Sequence, residues 1–103
     1  MNETTEELVK EEWNNTLTYL KESSVQEIID GTLEINREQT STGSGWITNE
    51  YILVLTTGGP HIEVSTNGRL SVSWSDRYAD QVTGDVRDKL DRVHERLEDI
   101  YVD

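Results

Sequence analysis

The most distinctive chemistry-bearing segment of this chain is Thr57-Gly58-Gly59-Pro60-His61. Glycines that follow a strand can bind an anion through their backbone N–H groups. The segment lacks the Gly-Lys-Ser/Thr of a P-loop and the G-x-G-x-x-G that opens a helix. A tight connection between two strands, with positive φ at glycine, is therefore the simpler interpretation. An anion-binding loop is the functional alternative.

His61 lies two residues before Glu63, and a histidine beside a carboxylate can act as a general acid–base pair. Such catalysis also needs a cleft and a third group that orients the pair or binds substrate, and the sequence offers neither. His94 is the second histidine, no H-E-x-x-H spacing occurs and the chain has no cysteine. The sequence therefore predicts no metal site, no cofactor and no catalytic residue.

Trp46 follows a Gly/Ser-rich stretch at residues 40–45. A tryptophan is more often part of a core or its edge than a binding anchor, and the neighbouring loop leaves an exposed Trp46 as the alternative. Together with the glycine segment it defines the candidate binding residues. These are Thr57, Gly58, Gly59, Pro60, His61, Glu63 and Trp46.

The 103-residue chain carries 21 acidic and 9 basic residues, a formal net charge of −12. This charge disfavours direct binding to nucleic acid or to anionic membranes. The acids concentrate at the ends, with 8 in residues 1–31 and 8 in residues 80–103. The N-terminus has no apolar region of a signal peptide, and the longest apolar run, residues 51–55, is too short to span a bilayer. We therefore expect a soluble, cytoplasmic protein.

Helical periodicity marks both ends of the chain. Thr4-x-x-Glu7 has the spacing of a capping box and precedes an apolar stripe, which predicts a helix from about 5 to 22. Ser24-x-x-Glu27 repeats the signature and predicts either a kink or a second short helix over 24–30. The C-terminal stripe predicts a helix that follows Thr83 and runs to the end. Its members are Val86, Leu90, Val93, Leu97 and Ile100.

The middle of the chain alternates with strand period. Strands are predicted at 33–36 and 46–55, with a flexible loop at 40–45, followed by a hairpin over 61–75. The predicted fold is a single α+β domain over 1–103, in the order α-(α)-β-β-β-β-α, with a four-stranded antiparallel meander. A three-residue turn with Gly68 at positive φ would pair Val64 with Leu70, and only this register places both apolar sets on one face.

Residues 51–55 are apolar at every position, so whichever side chains face the core, the others extend apolar surface on the second face. Helices that cover one face of the sheet leave that surface uncovered. We expect a homodimer or a bound partner to cover it.

The segment from Leu53 to Val64 resembles a group of short prokaryotic proteins that share an L-x-T-G-G-P sequence in mid-chain. Several of these proteins are carried by phages or other mobile elements. The resemblance covers residues 50–75, and a tryptophan-containing strand follows in those relatives, as Trp74 does here. The group has no assigned activity, so the resemblance implies the layout of the sheet and no catalytic residue. The acidic helix at each end departs from the group.

These observations lead to a small acidic, non-enzymatic protein that acts by protein–protein contact, either with a partner or as a homodimer. The alternative is a mobile-element inhibitor of a host defence nuclease, whose carboxylates mimic nucleic acid. A third hypothesis is a small hydrolase centred on His61 and Glu63, which requires a pocket lined by Thr57, Gly58 and a loop tryptophan.

Overall fold

The computed structural model describes residues 5–101, which form three helices and five strands. The helices are α1 (Thr5–Glu22), α2 (Val25–Asp30) and α3 (Gly84–Tyr101). The strands are β1 (Glu34–Thr42), β2 (Gly45–Thr56), β3 (His61–Ser65), β4 (Arg69–Ser73) and β5 (Arg77–Gln81). All neighbouring strands pair antiparallel, in the order β1-β2-β3-β4-β5.

The predicted α+β order is confirmed, with an N-terminal helix, an antiparallel sheet and a C-terminal helix. The predicted strand count was wrong, because β5 adds a fifth strand after the predicted hairpin. Arg77–Gln81 offers little apolar alternation, and it becomes a strand by pairing with β4, where Tyr78 lies opposite Val72. Tyr78 then packs edge-on against Trp13 of α1, with ring centroids 5.7 Å apart.

The predicted loop over 40–45 was also wrong. β1 continues to Thr42, which pairs with Gly45 across a two-residue turn at Gly43-Ser44. Hydrophobic alternation did not indicate these strand residues because both of their faces meet solvent, so no apolar period marks the strand.

The start of α2 is a complete capping box, as predicted. The Ser24 hydroxyl accepts the Glu27 N–H at 3.1 Å, and the Glu27 carboxylate accepts the Ser24 N–H at 2.9 Å. Hydrogen bonding to the Glu27 carboxylate, first from the Ser24 N–H and then from the Ser24 hydroxyl, lowers the pKa of Glu27. The corresponding prediction at Thr4 lies outside the described residues.

The helices cover one face of the sheet, here called the helix-side face, and leave the open face to solvent. Trp13 of α1 donates its indole N–H to the Leu70 carbonyl at 2.9 Å, which attaches that helix to β4. Lys89 of α3 donates to the carbonyls of Lys21 and Ser23 at 2.7 and 2.6 Å. An ammonium at the C-terminal end of α1 satisfies carbonyls that have no partner within the helix. Lys89 thus links the two long helices.

The core lies between α1, α3 and the helix-side face. Its fully buried side chains come from the three helices and from the sheet. They are Val9, Leu20, Ile28, Tyr51, Leu53, Val64, Leu70, Val72, Leu90, Val93 and Leu97.

The open face exposes less apolar surface than the sequence predicts for residues 51–55. Val54 is only 3% exposed there and Ile52 is half-buried. Polar side chains occupy the neighbouring positions, since Glu63 lies opposite both Val54 and Ser71. The large exposed apolar side chains of the described residues lie outside residues 51–55, at Tyr19, Leu33, Trp46, Ile47, Trp74, Ile100 and Tyr101.

The β3–β4 turn has the predicted register. Val64 pairs with Leu70 and Ile62 with Val72, and Gly68 has a φ of +107°. A Cβ at this position would also meet Gln81 Oε1 at 2.8 Å and Arg87 Cδ at 3.1 Å. Gly68 is therefore required by its backbone angle, while the flexible side chains of Gln81 and Arg87 can move aside.

We predict that Gly68→Ala lowers the free energy of unfolding by about 1–3 kcal/mol, the typical cost of a strained backbone conformation. The matched control is Gly43→Ala in the β1–β2 turn, where φ is not positive and nothing lies within 4 Å of the added Cβ. Urea unfolding followed by circular dichroism measures both. Equal stability of the two variants would contradict the assignment.

Candidate functional site

The glycine segment connects β2 to β3 at one end of the sheet. Gly58 has a φ of +96°, and the Thr56 hydroxyl donates to the Pro60 carbonyl at 2.8 Å. A Cβ on Gly59 would lie 3.0 Å from Trp74 Nε1, so the loop and the indole approach closely. The backbone angle at Gly58 and the close indole at Gly59 thus explain why glycine occupies both positions. This agrees with the interpretation of the segment as a tight connection between two strands.

His61 and Glu63 form the predicted pair on the open face, with His61 Nε2 3.2 Å from Glu63 Oε2. Both side chains remain substantially exposed. A groove at this end of the sheet lies on the helix-side face and is lined by Thr56 and Ile62 instead. The predicted pair is therefore formed, but this groove is not the pocket of Thr57, Gly58 and a tryptophan that the hydrolase hypothesis requires.

That groove has a volume of about 420 Å³ and lies between α1 and the ends of β2 and β3. Leu55 and Ile62 contribute its apolar part, and Glu12 and Asn15 contribute polar groups from α1. It contains none of the binding residues predicted from the sequence.

Trp46 lies at the opposite end of β2, so the structure separates it from the other predicted residues. Ten residues part it from Thr56, about 30 Å at ~3.3 Å per strand residue. The predicted binding residues therefore form two groups: the loop with its His–Glu pair, and Trp46.

Trp46 belongs to a two-stranded extension of the sheet, residues 38–50, here called the arm. β2 pairs with β3 only from Ile52 onward, so the strands of the arm pair only with each other. The molecule measures 57 × 27 × 23 Å as a result of this elongation. Near the tip, Trp46 is 68% exposed and Ile47 is 57% exposed.

A β-bulge decides which way the arm presents Trp46. Glu38 pairs with Glu50 but Gln39 pairs with Thr48, so Asn49 is an inserted residue. Ser41 pairs with Trp46 and shares the face of Arg37, which lies opposite Tyr51 on the helix-side face. The bulge therefore turns Trp46 to the helix-side face and Ile47 to the open face.

Three polar residues that the sequence did not single out are joined near the root of the arm. The Thr66 hydroxyl lies 2.9 Å from His94 Nδ1, and His94 Nε2 lies 3.3 Å from Glu98 Oε1. Since Glu98 only accepts, Nε2 carries the hydrogen, and in the neutral ring Nδ1 accepts from Thr66. The i, i+4 spacing of His94 and Glu98 was visible in the sequence, but the contact with Thr66 was not.

The order hydroxyl, imidazole, carboxylate is that of a nucleophilic triad, yet its placement is structural. Thr66 is only 3% exposed, and its hydroxyl oxygen already accepts the Tyr51 N–H at 3.0 Å. The Thr66 N–H donates to the Tyr51 carbonyl at 2.9 Å, and Arg87 donates to the Thr66 carbonyl at 2.6 Å. Every polar group of Thr66 is thus used to join β2, the β3–β4 turn and α3.

A recess of about 210 Å³ lies at the root of the arm and is lined by Ile35, Arg37, Tyr51 and Tyr101. The Tyr51 and Tyr101 rings stack with centroids 6.2 Å apart. Tyr51 is fully buried, and its hydroxyl makes no hydrogen bond of standard geometry with the described residues. Burial, and then the negative charge of Glu98, raise the pKa of Tyr51. Looser hydrogen-bonding contacts from the Thr48 and Arg37 side chains, together with the Arg37 charge, lower it by less.

No group of three or more His, Asp or Glu side chains within residues 5–101 is placed to hold a metal ion. Over the same residues, no helix is long and apolar enough to cross a membrane.

Comparison with known proteins adds no family to this description. No family model matches the chain, and neither a curated protein nor a solved structure is significantly similar to it.

We predict that Thr66→Val lowers the free energy of unfolding by about 1–3 kcal/mol, because the Tyr51 N–H and His94 Nδ1 lose their buried partner. Thr16→Val is the control. Thr16 is also buried, but its hydroxyl bonds only the Glu12 carbonyl one turn earlier in α1. Chemical denaturation of both variants at neutral pH tests the difference, and a larger loss for Thr16→Val would refute it.

The raised pKa of Tyr51 leads to a second prediction, which concerns stability in alkaline solution. The pKa of Tyr51 is raised in the folded protein. The contribution of buried, neutral Tyr51 to stability is therefore complete at pH values below the unfolded pKa of about 10. As pH rises from there through the folded pKa, the unfolded chain loses its proton first and this stability is lost. Tyr51→Phe should flatten the dependence of unfolding free energy on pH above about 10. The exposed Tyr19→Phe should leave the wild-type slope unchanged, and equal slopes for all three proteins would argue against the burial effect.

Proposed function

We propose that this protein acts by protein–protein contact, with the tip of the arm as its contact element. The observation that carries the proposal is the exposure of Trp46 and Ile47 on strands that pair only with each other. Tryptophan is the side chain most enriched among residues that dominate binding energy at interfaces. A net charge of −12 further favours a partner with a basic surface around its apolar contact.

The bulge at Asn49 supports this role because it gives the two faces of the tip different anchors. Trp46 faces the helix side and Ile47 the open side, so a partner that wraps the arm contacts an apolar side chain on each face. The free edge of β1 provides unpaired backbone N–H and C=O groups to the same partner. The partner is either another protein or a second copy of this chain, in the cytoplasm.

The glycine loop is the competing contact surface, since Trp74 beside Gly59 is 51% exposed. It lies at the other end of the sheet, so separate substitutions distinguish the two surfaces. The resemblance to the L-x-T-G-G-P group implies no activity, so it favours neither the arm nor the glycine loop as the contact surface.

Mimicry of nucleic acid by the acidic helices is the alternative function. α3 exposes Asp88, Asp91 and Glu95 along its solvent side, which supports it. Arg92 and Arg96 are exposed between these acids, however, so the row of carboxylates is interrupted. The arm therefore supports the contact function better than the helices support mimicry.

We predict that Trp46→Ser combined with Ile47→Ser weakens binding to the captured partner roughly tenfold or more, since both apolar anchors are lost. Trp74→Ser is the matched control and should bind like wild type. Affinity capture identifies the partner, and titration calorimetry compares the variants. Sedimentation equilibrium tests the homodimer, which requires a concentration-dependent mass in wild type that the double variant loses.

Loss of binding in Trp74→Ser alone would place the contact at the glycine loop and overturn the arm. Binding unchanged in both variants would exclude both surfaces. Capture abolished by charge reversal on α3 alone would favour mimicry.

A further inference from the structure

The recess at the root of the arm combines features that no contact within the described residues explains. Arg37 is exposed, and it forms no ion pair with a carboxylate of the described residues although the chain has 21 acids. Its hydrogen bond to the Tyr101 carbonyl is long, at 3.5 Å. The guanidinium therefore retains most of its capacity to bind an anion.

The second feature is the Tyr51 hydroxyl, which is buried beside Arg37 and makes no hydrogen bond of standard geometry with a described residue. Thr48 and Arg37 approach it only as loose donors, so the hydrogen of Tyr51 itself has no acceptor there. A buried hydroxyl that lacks a hydrogen bond is unfavourable, so a ligand that accepts its hydrogen would recover that cost. Arg37 and Tyr51 are directly opposite each other on β1 and β2. A planar anion placed between them would accept from both.

We propose that this recess is a binding site for a carboxylate with an attached apolar group. The guanidinium fork of Arg37 matches the two oxygens of a carboxylate, and the Tyr51 O–H would supply a third hydrogen bond. Ile35 and the ring of Tyr101 form the apolar wall that the rest of the ligand would contact. Because the hydroxyl is covered, the Arg37 side chain would have to shift to admit the carboxylate before its guanidinium binds it.

Charge explains why a carboxylate fits better than a phosphate. Glu98 lies close enough to Tyr51 to influence it electrostatically, and the chain as a whole is strongly acidic. A second negative charge on the ligand would add repulsion, while Arg37 provides one positive charge. A singly charged ligand is therefore preferred.

The site is independent of the proposed partner contact, since it uses Arg37 and Tyr51 and not the arm tip. The carboxylate could belong to a free small molecule or to the end of a peptide chain. Benzoate represents the first source and N-acetylphenylalanine the second. Benzamide has the shape of benzoate without the charge and serves as the negative control.

The test is an NMR titration of the ¹⁵N-labelled full chain at pH 7. Benzoate or N-acetylphenylalanine should shift the backbone amides of Ile35, Arg37 and Tyr51 saturably, and benzamide and inorganic phosphate should not. Arg37→Gln should weaken binding roughly tenfold or more, and Tyr51→Phe about threefold or more. Arg69→Gln, an exposed arginine on the open face, should bind like wild type.

Failure of both carboxylates to give saturable shifts would overturn the site. Equal shifts with benzamide would show an apolar cavity without carboxylate recognition, and equal weakening by Arg69→Gln would show a general charge effect. Circular dichroism of each variant confirms that it is folded. Since Arg37 is exposed and Tyr51→Phe removes one unpaired oxygen, both variants are expected to fold.

Discussion

The arrangement of the sheet and α3 depends on the hydrogen bonds of one buried threonine. Thr66 lies in the β3–β4 turn, exchanges two hydrogen bonds with the backbone of Tyr51 in β2, and contacts both Arg87 and His94 of α3. The turn can reach β2 because Gly68, at positive φ, completes a three-residue loop. Local backbone geometry thereby positions the C-terminal helix on the sheet. The stacked rings of Tyr51 and Tyr101 follow from the same placement.

A mismatch in length produces the arm. β2 has 12 residues, whereas β3, β4 and β5 have 5 each, so only part of β2 finds a neighbour beyond β1. The helices cover the compact part of the sheet and leave the remaining hairpin without a core. Exposed apolar side chains on such a hairpin do not stabilise the fold, which is why we propose them as contact residues.

Much of the fold could be predicted because its signals are local. The capping box of Ser24 and Glu27, the stripe of α3 and the register at Gly68 each depend on residues within one or two turns of the chain. β5 and the arm could not be predicted, because pairing with a neighbouring strand creates them where apolar alternation is weak. The candidate sites show the same difference between local contacts, which could be predicted, and long-range contacts, which could not. His61 and Glu63 are two positions apart in the sequence, whereas Thr66 and His94 are 28 positions apart. Hydrophobic periodicity gives no information on contacts between residues so far apart in the sequence.

The bare hairpin of the arm also has a thermodynamic meaning. Its backbone hydrogen bonds are not covered by buried side chains. We therefore expect its amide hydrogens to exchange by local opening, at free energies below that of global unfolding. A partner that holds the arm in one conformation must first compensate for this local freedom, and the compensation reduces the affinity that the contact achieves. Residues that stiffen the hairpin without touching the partner thus become determinants of affinity. The stiffness of the arm's own backbone would then help to set the affinity for the proposed partner.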